Sequence, residues 1–192
     1  SVALNDENLI DLSDDKWLMH EEIIKVNKAY AIPSSLDTNF DRLSNLYGLP
    51  FLLKPRKGYA SKGIERIHNV DELSKFADKI GTDLMVQEIV GSDDEEYTVA
   101  VFGDGLGNIS ASITFRRELA NDGSTAKAWV QQHDSLDAVV RDICSYFKPI
   151  GPTNLQFRRV PSGWKLLEIN PRISSTTSIR TAFGYNEAKM CL

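Results

Sequence analysis

The sequence predicts an α+β protein of two lobes. Segments with helical periodicity are mixed with short apolar segments typical of strands, and glycine-bearing turns join most of the strands as hairpins. Because hairpins join antiparallel strands, this order favours the α+β class. A chain of 192 residues with 42% apolar content is long enough for one substantial core or two smaller ones.

An amphipathic helix is predicted near the start of the chain. Residues 13–15 are Ser-Asp-Asp, which is typical of an N-cap with acidic first-turn residues, and Lys16 then lies in the first turn. We expect this helix to continue to about Lys28. The other elements predicted before residue 91 are a strand over 51–54 that ends at Pro55, a strand over 64–67, a helix over 71–80 that ends before Gly81, and a strand over 84–90.

The second half is predicted to contain strands over 97–102 and 109–115 and a helix over 135–147. Between these two strands lies the glycine-rich segment 103–108, which suggests a dinucleotide-binding site at first sight. Such a site requires a strand, the spacing GxGxxG and then a helix, whereas here the spacing is GxGxG and a strand follows. We therefore predict a hairpin turn.

Two further strands, over 154–157 and 166–172, flank a turn at residues 161–163. Alternate side chains of a strand share a face. Glu168 and Asn170 are therefore predicted to lie side by side on one face. The residues of this strand predicted to point into the core are Leu167 and Ile169.

The turn decides which residues of these two strands oppose each other. A three-residue loop with Gly163 in the left-handed conformation pairs Gln156 with Glu168 and Asn154 with Asn170. Three or four oxygen-bearing side chains then share a face, which suits Mg²⁺, a cation that takes oxygen ligands and is often shared with substrate phosphates. From these residues alone, a hairpin with an ordinary solvated face remains the alternative.

The composition argues against several classes of function. With 27 acidic and 22 basic residues and no basic run, the chain lacks the concentrated cationic surface that nucleic-acid binding requires. Cys144 and Cys191 are far apart and have no metal-binding or redox spacing, so we expect packing residues in a reducing cytoplasm. No apolar segment reaches the length of a membrane span, and no membrane partner is expected.

Taken in chain order, the polar features resemble the ATP-grasp superfamily. They are Lys16, Lys54, the glycine-containing loop 57–63, the segment Gln87-Glu88-Ile89-Val90, Glu96, and the group Gln156, Glu168, Asn170 and Arg172. Asn154-x-Gln156 followed by Glu168-Ile-Asn-Pro-Arg-Ile-Ser is similar to the metal-binding signature of the ATP-grasp module of the carbamoyl phosphate synthase large subunit and of related single-module carboxylate-amine ligases. The resemblance covers nearly all of residues 13–186.

The resemblance implies a site for nucleotide phosphates. Lys16 and Lys54 would hold the phosphates, with Lys54 near the α-phosphate and also in a catalytic role. Gly58 and Gly63 would let the loop fold over the β- and γ-phosphates, where backbone N–H groups and Ser61 donate hydrogen bonds. Two residues of this loop, Tyr59 and Ala60, replace the smaller residues common in the superfamily.

The resemblance also implies a site for the nucleoside. Glu88, Ile89 and Val90 would form the adenine hinge through main-chain groups and the Glu88 carboxylate. Glu96 would accept hydrogen bonds from the ribose hydroxyls, and we favour it over its neighbour Glu95.

The metal ligands implied by the resemblance are Gln156, Glu168 and Asn170. Arg172 would be catalytic, because a positioned arginine stabilises the charge that develops on a transferred γ-phosphoryl group. The arginines left without a firm role are Arg116, Arg117, Arg158 and Arg180, of which one or more would suit a substrate carboxylate or acyl phosphate.

The implied fold is the ATP-grasp fold, in which two α+β lobes grip the nucleotide between antiparallel sheets. On this basis residues 1–15 are predicted to be a lead-in from a missing N-terminal domain. Residues 16–90 are predicted to form the small lobe, and residues 91–192 the large lobe with the metal site. A homo-oligomer formed through the missing domain is compatible with this division.

The implied activity is that of a ligase module that uses ATP and Mg²⁺, or Mn²⁺, to phosphorylate a carboxylate or bicarbonate. An amine or ammonia would then displace phosphate from the acyl phosphate. The alternatives are a non-catalytic ATP-binding regulatory module, and a structural domain whose match to the signature is accidental.

Overall fold

The computed structural model describes residues 4–58, 63–120 and 125–192. The helices in these ranges are α1 (Glu7–Asp14), α2 (Lys16–Asn27), α3 (Phe40–Tyr47), α4 (Val70–Ser74), α5 (Asp134–Phe147), α6 (Thr177–Ala182) and α7 (Glu187–Met190). The strands are β1 (Ser34–Ser35), β2 (Phe51–Pro55), β3 (Glu65–Ile67), β4 (Leu84–Gln87), β5 (Glu96–Asp104), β6 (Ile109–Leu119), β7 (Thr125–Val130), β8 (Ile150–Val160) and β9 (Gly163–Asn170). None of the described helices is long and apolar enough to cross a membrane.

The first sheet has the strand order β1-β4-β2-β3, and its neighbouring strands are antiparallel. One face packs against α3 and α4 in a small apolar core that includes Leu43 and Leu73. Phe51 and Leu53 of β2 point into this core. Because side chains alternate along a strand, Lys54 lies on the opposite face.

The helix predicted over residues 71–80 is shorter than expected. It ends at Ser74, and a separate 3₁₀ turn covers Ala77–Lys79. Ile80 is extended, buried and bridged to Leu84 at the start of β4. The backbone must therefore leave the helical conformation before Ile80, although the apolar spacing of this segment is helical.

The second sheet has the strand order β7-β6-β5-β8-β9, again antiparallel throughout. Its apolar face packs against α1, α2 and α5, with Tyr97, Leu155 and Phe157 almost completely buried. On β8 and β9, its other face carries the oxygen-bearing side chains predicted for the metal site. An α+β fold with two antiparallel sheets is thus confirmed.

The packing of α2 divides the chain differently from the predicted lobe boundary. Met19 and Ile23 of this helix belong to the core of the second sheet, together with Leu9 of α1. By packing, α2 therefore belongs with the second sheet, whereas the prediction groups it with the first; the division into lobes stays a prediction. The helix itself is confirmed, but its sequence does not indicate which sheet it covers.

The predicted hairpin turn at residues 103–108 is confirmed, since it joins the antiparallel strands β5 and β6. Asp104 stabilises the turn by accepting hydrogen bonds from the backbone N–H groups of Leu106 at 2.7 Å and Asn108 at 3.0 Å. Gly103 is pressed against the segment before β8, where an added Cβ would lie 2.1 Å from the carbonyl oxygen of Pro149. The glycine is required there by close backbone approach.

Replacing Gly103 with alanine should therefore destabilise the fold. Because the colliding atom belongs to the backbone, the strand must shift, and we expect a loss of about 2–3 kcal/mol in the free energy of unfolding. Urea denaturation of Gly103→Ala measures the loss. Ser112→Ala, an exposed change on β6, is the matched control, and equal stability of the two variants would contradict the proposed collision.

The hairpin of β8 and β9 has the predicted register at the polar cluster but a different turn. Gln156 pairs with Glu168, and Asn154 with Asn170, as predicted. Val160 pairs directly with Gly163, however, so the loop has two residues instead of three. The register shifts again between Gln156 and Phe157, where a bulge in β9 restores the pairing.

Because of the bulge, one further prediction is wrong. Leu167 was predicted to point into the core beside Ile169, but Leu166 occupies the core and Leu167 is half-buried at the edge of a cleft. A bulge adds one residue to one strand, so side chains before it change faces. Ile169, which follows the bulge, is buried as predicted.

Candidate active site

An open cleft lies between the two sheets. Lys16 and His20 of α2 line it from one side, Lys54 and Gln87 of the first sheet from another, and Glu168 of β9 from a third. The apolar part of the wall includes Met19, Ile23, Ile32 and Leu167. Cationic and apolar surfaces thus meet in one cleft, as expected for a ligand with a charged end and an apolar end.

The pKa of Lys54 is strongly lowered in the cleft. Its side chain lies on β2, the residue is 9% exposed, and Nζ donates a hydrogen bond to Oε1 of Gln87 at 2.7 Å. Burial, and then the charge of Lys16, lower the pKa of Lys54 to about 8, while Glu168 opposes the shift. At neutral pH the ammonium is mostly charged but poorly hydrated, so an anion in the cleft should attract it strongly.

Lys16 begins α2 and reaches across to the loop that follows β2. Its Nζ donates a hydrogen bond to the carbonyl oxygen of Gly58 at 2.8 Å. Burial lowers the pKa of Lys16, and the charge of Glu168 opposes this. The preceding residue, Asp15, caps the helix and forms an ion pair of 2.8 Å with Arg56. These contacts fix the N-terminus of α2 to the start of the predicted phosphate loop.

The predicted phosphate loop is described only at its two ends. Gly58 has φ 117° and Gly63 has φ 74°, conformations that favour glycine. Ser61, which is predicted to contact the nucleotide, lies outside the described residues together with Tyr59 and Ala60. The phosphate contacts of this loop therefore stay predictions.

The predicted metal ligands come together on β8 and β9. Oε1 of Glu168 accepts hydrogen bonds from Nε2 of Gln156 and, at 2.8 Å, from Nδ2 of Asn170. Among the described residues there is no cluster of three or more His, Cys, Asp or Glu side chains that would suit a metal ion. One carboxylate with two amides is instead the ligand set expected for Mg²⁺ that is shared with phosphate oxygens, so these residues fit that cation.

Asn154 lies on the same face but has other partners. Its Oδ1 accepts hydrogen bonds from Oγ1 of Thr98 at 2.6 Å and from Nη2 of Arg180, and the residue is 2% exposed. Asn154 is therefore engaged within the protein, and the predicted ligand set stays limited to Gln156, Glu168 and Asn170.

Glu96 occupies the first position of β5 and is almost completely buried. Arg117 of β6 and Arg158 of β8 lie directly opposite it in register, and each donates a hydrogen bond to one of its oxygens. Glu95 lies at the rim, 3.7 Å from Arg116. The carboxylate of Glu96 keeps lone pairs for hydroxyl donors, but its charge is already compensated, and the ribose contact stays a prediction.

The predicted adenine hinge connects the two sheets. β4 ends at Gln87, so Glu88, Ile89 and Val90 do not continue the strand as predicted but form a half-buried connection toward β5. The backbone N–H of Glu88 donates a hydrogen bond to the carbonyl oxygen of Pro33 at 3.0 Å. The connection is thereby held beside the segment that leads from α2 into the first sheet.

Arg172 follows the end of β9 by two residues and is exposed. Its Nη2 lies 3.4 Å from Oδ1 of Asn170, and its Nη1 lies 3.3 Å from the carbonyl oxygen of Ile173. The guanidinium thus lies close to the predicted metal ligands, and its catalytic role stays a prediction.

The geometry agrees with a comparison to known families. A family model described as "ATP-grasp in the biosynthetic pathway with Ter operon" matches residues 80–192, which is more than half of the chain. The chain belongs to the ATP-grasp family. The resemblance based on the order of the lysines, the acidic residues and the terminal signature is therefore confirmed.

Solved structures show the same ATP-grasp fold. N5-carboxyaminoimidazole synthetase of Staphylococcus aureus superimposes with a TM-score of 0.71 at 20% identity, over 88% of this chain and 47% of that one. The biotin carboxylase domain of 2-oxoglutarate carboxylase from Hydrogenobacter thermophilus, described in complex with MgADP, ADP and bicarbonate, gives a TM-score of 0.69 at 19% identity, over 91% and 43%. At these identities the likeness shows the fold.

A curated relative is also similar to this ATP-grasp chain. The uncharacterized protein y4rH of Sinorhizobium fredii is 26% identical over an alignment of 148 positions, which covers 66% of this chain and 29% of that protein. The chain thus spans less than half the length of the relative and of the two solved structures. The comparisons therefore do not show the activity of the whole protein.

Sequence reasoning did not predict the partners of three polar groups around this site. The first is Gln87, which holds the ammonium of Lys54. The second is the pair of arginines that flank Glu96, whose positions follow only from the strand register. The third is Arg180, which is fully buried with Glu187 and contacts Asn154. The arginines were noted as residues without a role, but no spacing in the sequence indicates their carboxylate partners.

Proposed function

We propose that the chain is the ATP-grasp module of a ligase that uses ATP and Mg²⁺ to phosphorylate a carboxylate or bicarbonate. An oxygen of the acceptor attacks the γ-phosphorus, and ADP leaves. An amine or ammonia then attacks the carbonyl carbon of the acyl phosphate, and inorganic phosphate leaves. The observation that carries the proposal is the convergence of Lys16, Lys54 and Glu168 on one cleft between the two sheets.

The cations of the cleft would bind the polyphosphate. Lys54 is held in place by Gln87, and Lys16 lies at the start of the phosphate loop. Both ammonium groups are partly desolvated, so their attraction for phosphate oxygens is screened less than that of surface lysines. The apolar part of the wall would receive the adenine ring beside the hinge that starts at Glu88.

The cluster on β8 and β9 would hold the cation. Gln156, Glu168 and Asn170 supply one carboxylate and two amide groups on neighbouring strands. Bound Mg²⁺ would neutralise phosphate charge and orient the phosphate groups. Arg172, next to Asn170, would stabilise the charge on the transferred phosphoryl group.

The nature of these groups supports direct transfer rather than a covalent enzyme intermediate. The site consists mainly of ammonium groups, amides, one carboxylate and one guanidinium, which position reactants and neutralise charge. Bicarbonate as acceptor and ammonia as nucleophile follow from the likeness of the terminal signature to carbamoyl phosphate synthase. The similar biotin carboxylase domain, described with MgADP and bicarbonate, supports the same acceptor class.

The proposal is tested by measuring ADP release from the intact protein with Mg²⁺, ATP and a panel of carboxylates, including bicarbonate, each with ammonia or an amine. We expect turnover with at least one acceptor and a loss of about 100-fold in Lys54→Met, because a preoriented charged donor is removed. Lys75→Met, which changes an exposed lysine of the same lobe, is the control and should retain activity.

Two outcomes would overturn the proposal. Tight binding of ATP without turnover under any acceptor would favour a regulatory module, and the absence of magnesium-dependent ATP binding would favour a structural domain.

A further inference from the structure

A chain of hydrogen bonds crosses the first sheet behind Lys54. The ammonium of Lys54 donates to Oε1 of Gln87 at 2.7 Å, and Nε2 of Gln87 donates to Oγ of Ser34 at 2.9 Å. Oγ of Ser34 in turn donates to the carbonyl oxygen of Ile32 at 2.9 Å. Three adjacent strands, β2, β4 and β1, therefore share one polar connection on the face that lines the cleft.

The chemistry of these groups fixes the orientation of the Gln87 amide. The hydroxyl of Ser34 has one proton, which is directed to Ile32, so its oxygen must accept a hydrogen bond from Gln87. Nε2 of Gln87 is then committed to Ser34, and Oε1 must face Lys54. The opposite orientation of the amide would place an NH₂ group against the ammonium, where two donors would oppose each other.

The neutrality of Gln87 matters for what Lys54 can do. An ammonium has three protons, of which one is directed to Gln87 and two can be donated to phosphate oxygens. A carboxylate at the same place would form an ion pair and compensate the charge that attracts phosphate. An amide oxygen holds the group in position and leaves its charge uncompensated.

We propose that Gln87 is a positioning residue, which aims the ammonium of Lys54 at a phosphate group of the bound nucleotide and is itself oriented by Ser34. The inference rests on the proposed function, because it assumes that Lys54 contacts phosphate. Gln87 is the last residue of β4 and directly precedes the hinge residue Glu88, so the proposed phosphate and adenine contacts come from neighbouring residues of the chain.

The charge state of Lys54 predicts how phosphate binding depends on pH. The charged and titratable groups that face it are Lys16 and His20 of α2 and Glu168 of β9. Burial and the charge of Lys16 lower its pKa to about 8. Since the charge is present below this pKa and lost as the pH rises through it, phosphate binding should weaken above about pH 8.

The test compares binding of ATP and of adenosine to the intact protein by calorimetry at pH 7. Gln87→Met keeps a similar volume but cannot orient the ammonium, so we expect ATP to bind about 10-fold more weakly, the loss expected for one hydrogen bond to a charged group. Adenosine, which has no phosphate, should bind as before. A merely structural role of Gln87 would weaken both ligands equally and would overturn the inference.

A double-mutant cycle separates this inference from the proposed function. If Gln87 acts through Lys54, Gln87→Met should weaken ATP binding in the original protein and have almost no further effect in Lys54→Met. Additive losses would overturn the inference. An unchanged affinity of Lys54→Met for ATP would overturn the proposed function itself. If Lys54→Met weakens ATP binding and Gln87→Met does not, the inference would be overturned and the proposed function would stand.

Two further variants keep the test independent of folding defects. Ser34→Ala frees the amide of Gln87 to rotate without touching the cleft, and we expect a smaller loss of ATP affinity than in Gln87→Met. Gln87→Glu adds a negative charge next to Lys54, so the pKa of Lys54 should rise. The decline of ATP binding should then move to higher pH. An unchanged pH profile in Gln87→Glu would contradict the direct contact.

Discussion

Replacing Glu168 with glutamine should weaken magnesium-dependent binding of ATP by at least about 100-fold. Removing a group that only supports a metal ligand already lowers metal affinity by about 10–100-fold, and Glu168 is a predicted ligand itself. Glu168 is the only carboxylate in the predicted ligand set, and its Oε1 is the acceptor for both amide groups of that set. Glutamine preserves the size of the side chain but removes its charge. The loss should therefore appear only when Mg²⁺ is present.

The measurement is a titration of the intact protein with ATP, with Mg²⁺ and with a chelator. In the chelator, Glu168→Gln should bind ATP no more weakly than the original protein, because a carboxylate repels the phosphates when no cation lies between them. Glu118→Gln, which changes a half-exposed carboxylate on β6 of the same sheet, is the control. Equal losses with and without Mg²⁺ would show that Glu168 supports the fold and does not bind the cation.

The residues of this site could be predicted from the sequence because their alternation is local. Glu168 and Asn170 are two residues apart on one strand, and a strand places such residues on one face whatever surrounds it. The pairing with Gln156 was also predicted correctly, although the predicted turn was not. The loop is one residue shorter than expected and the bulge in β9 adds one residue, so the two differences cancel at Glu168.

The partners of the charged residues could not be predicted, because they depend on the tertiary fold. Arg117 and Arg158 reach Glu96 only because β6 and β8 both pair with β5, and they are 21 and 62 residues away from it in the chain. In the same way, Lys16 and Lys54 meet through the packing of α2. Periodicity predicts that a helix has an apolar face, but it does not specify which sheet this face covers.

The break in the helix predicted over residues 71–80 has a comparable origin. Leu73 and Ile80 are both buried in the small core, which the spacing of the apolar residues predicts. The bridge between Ile80 and Leu84 requires an extended backbone just before β4. Tertiary contacts therefore override the local helical preference.

The largest effect on stability is expected from a buried ion pair that packs against Asn154 and Thr98 of the second sheet. Arg180 of α6 and Glu187 of α7 have no exposed side-chain surface and lie 2.9 Å apart. Arg180 also donates to Oδ1 of Asn154 through Nη2. Within the described ranges, Nε of Arg180 and Oε2 of Glu187 have no hydrogen-bond partner. The pair therefore compensates its charges but does not satisfy all of its polar atoms.

Arg180→Met should lower the free energy of unfolding by about 3–5 kcal/mol, because the carboxylate of Glu187 is left buried without its partner. Glu187→Gln should cause a loss of the same order by leaving the guanidinium uncompensated. Urea denaturation followed by circular dichroism measures both losses. Lys127→Met breaks the exposed pair with Glu118, and as a control it should change stability by no more than about 1 kcal/mol.

The double variant Arg180→Met with Glu187→Leu decides whether charge is the cause. If the single losses come from an uncompensated buried charge, removing both charges should restore at least about half of the lost stability, since a buried ion pair can often be replaced by apolar side chains. Asn154 and Thr98 would still lose a donor, which limits the recovery. If the double variant loses as much free energy of unfolding as the two single variants added together, the balance of charge is not the cause. The packing of α6 and α7 would then stabilise this part of the fold.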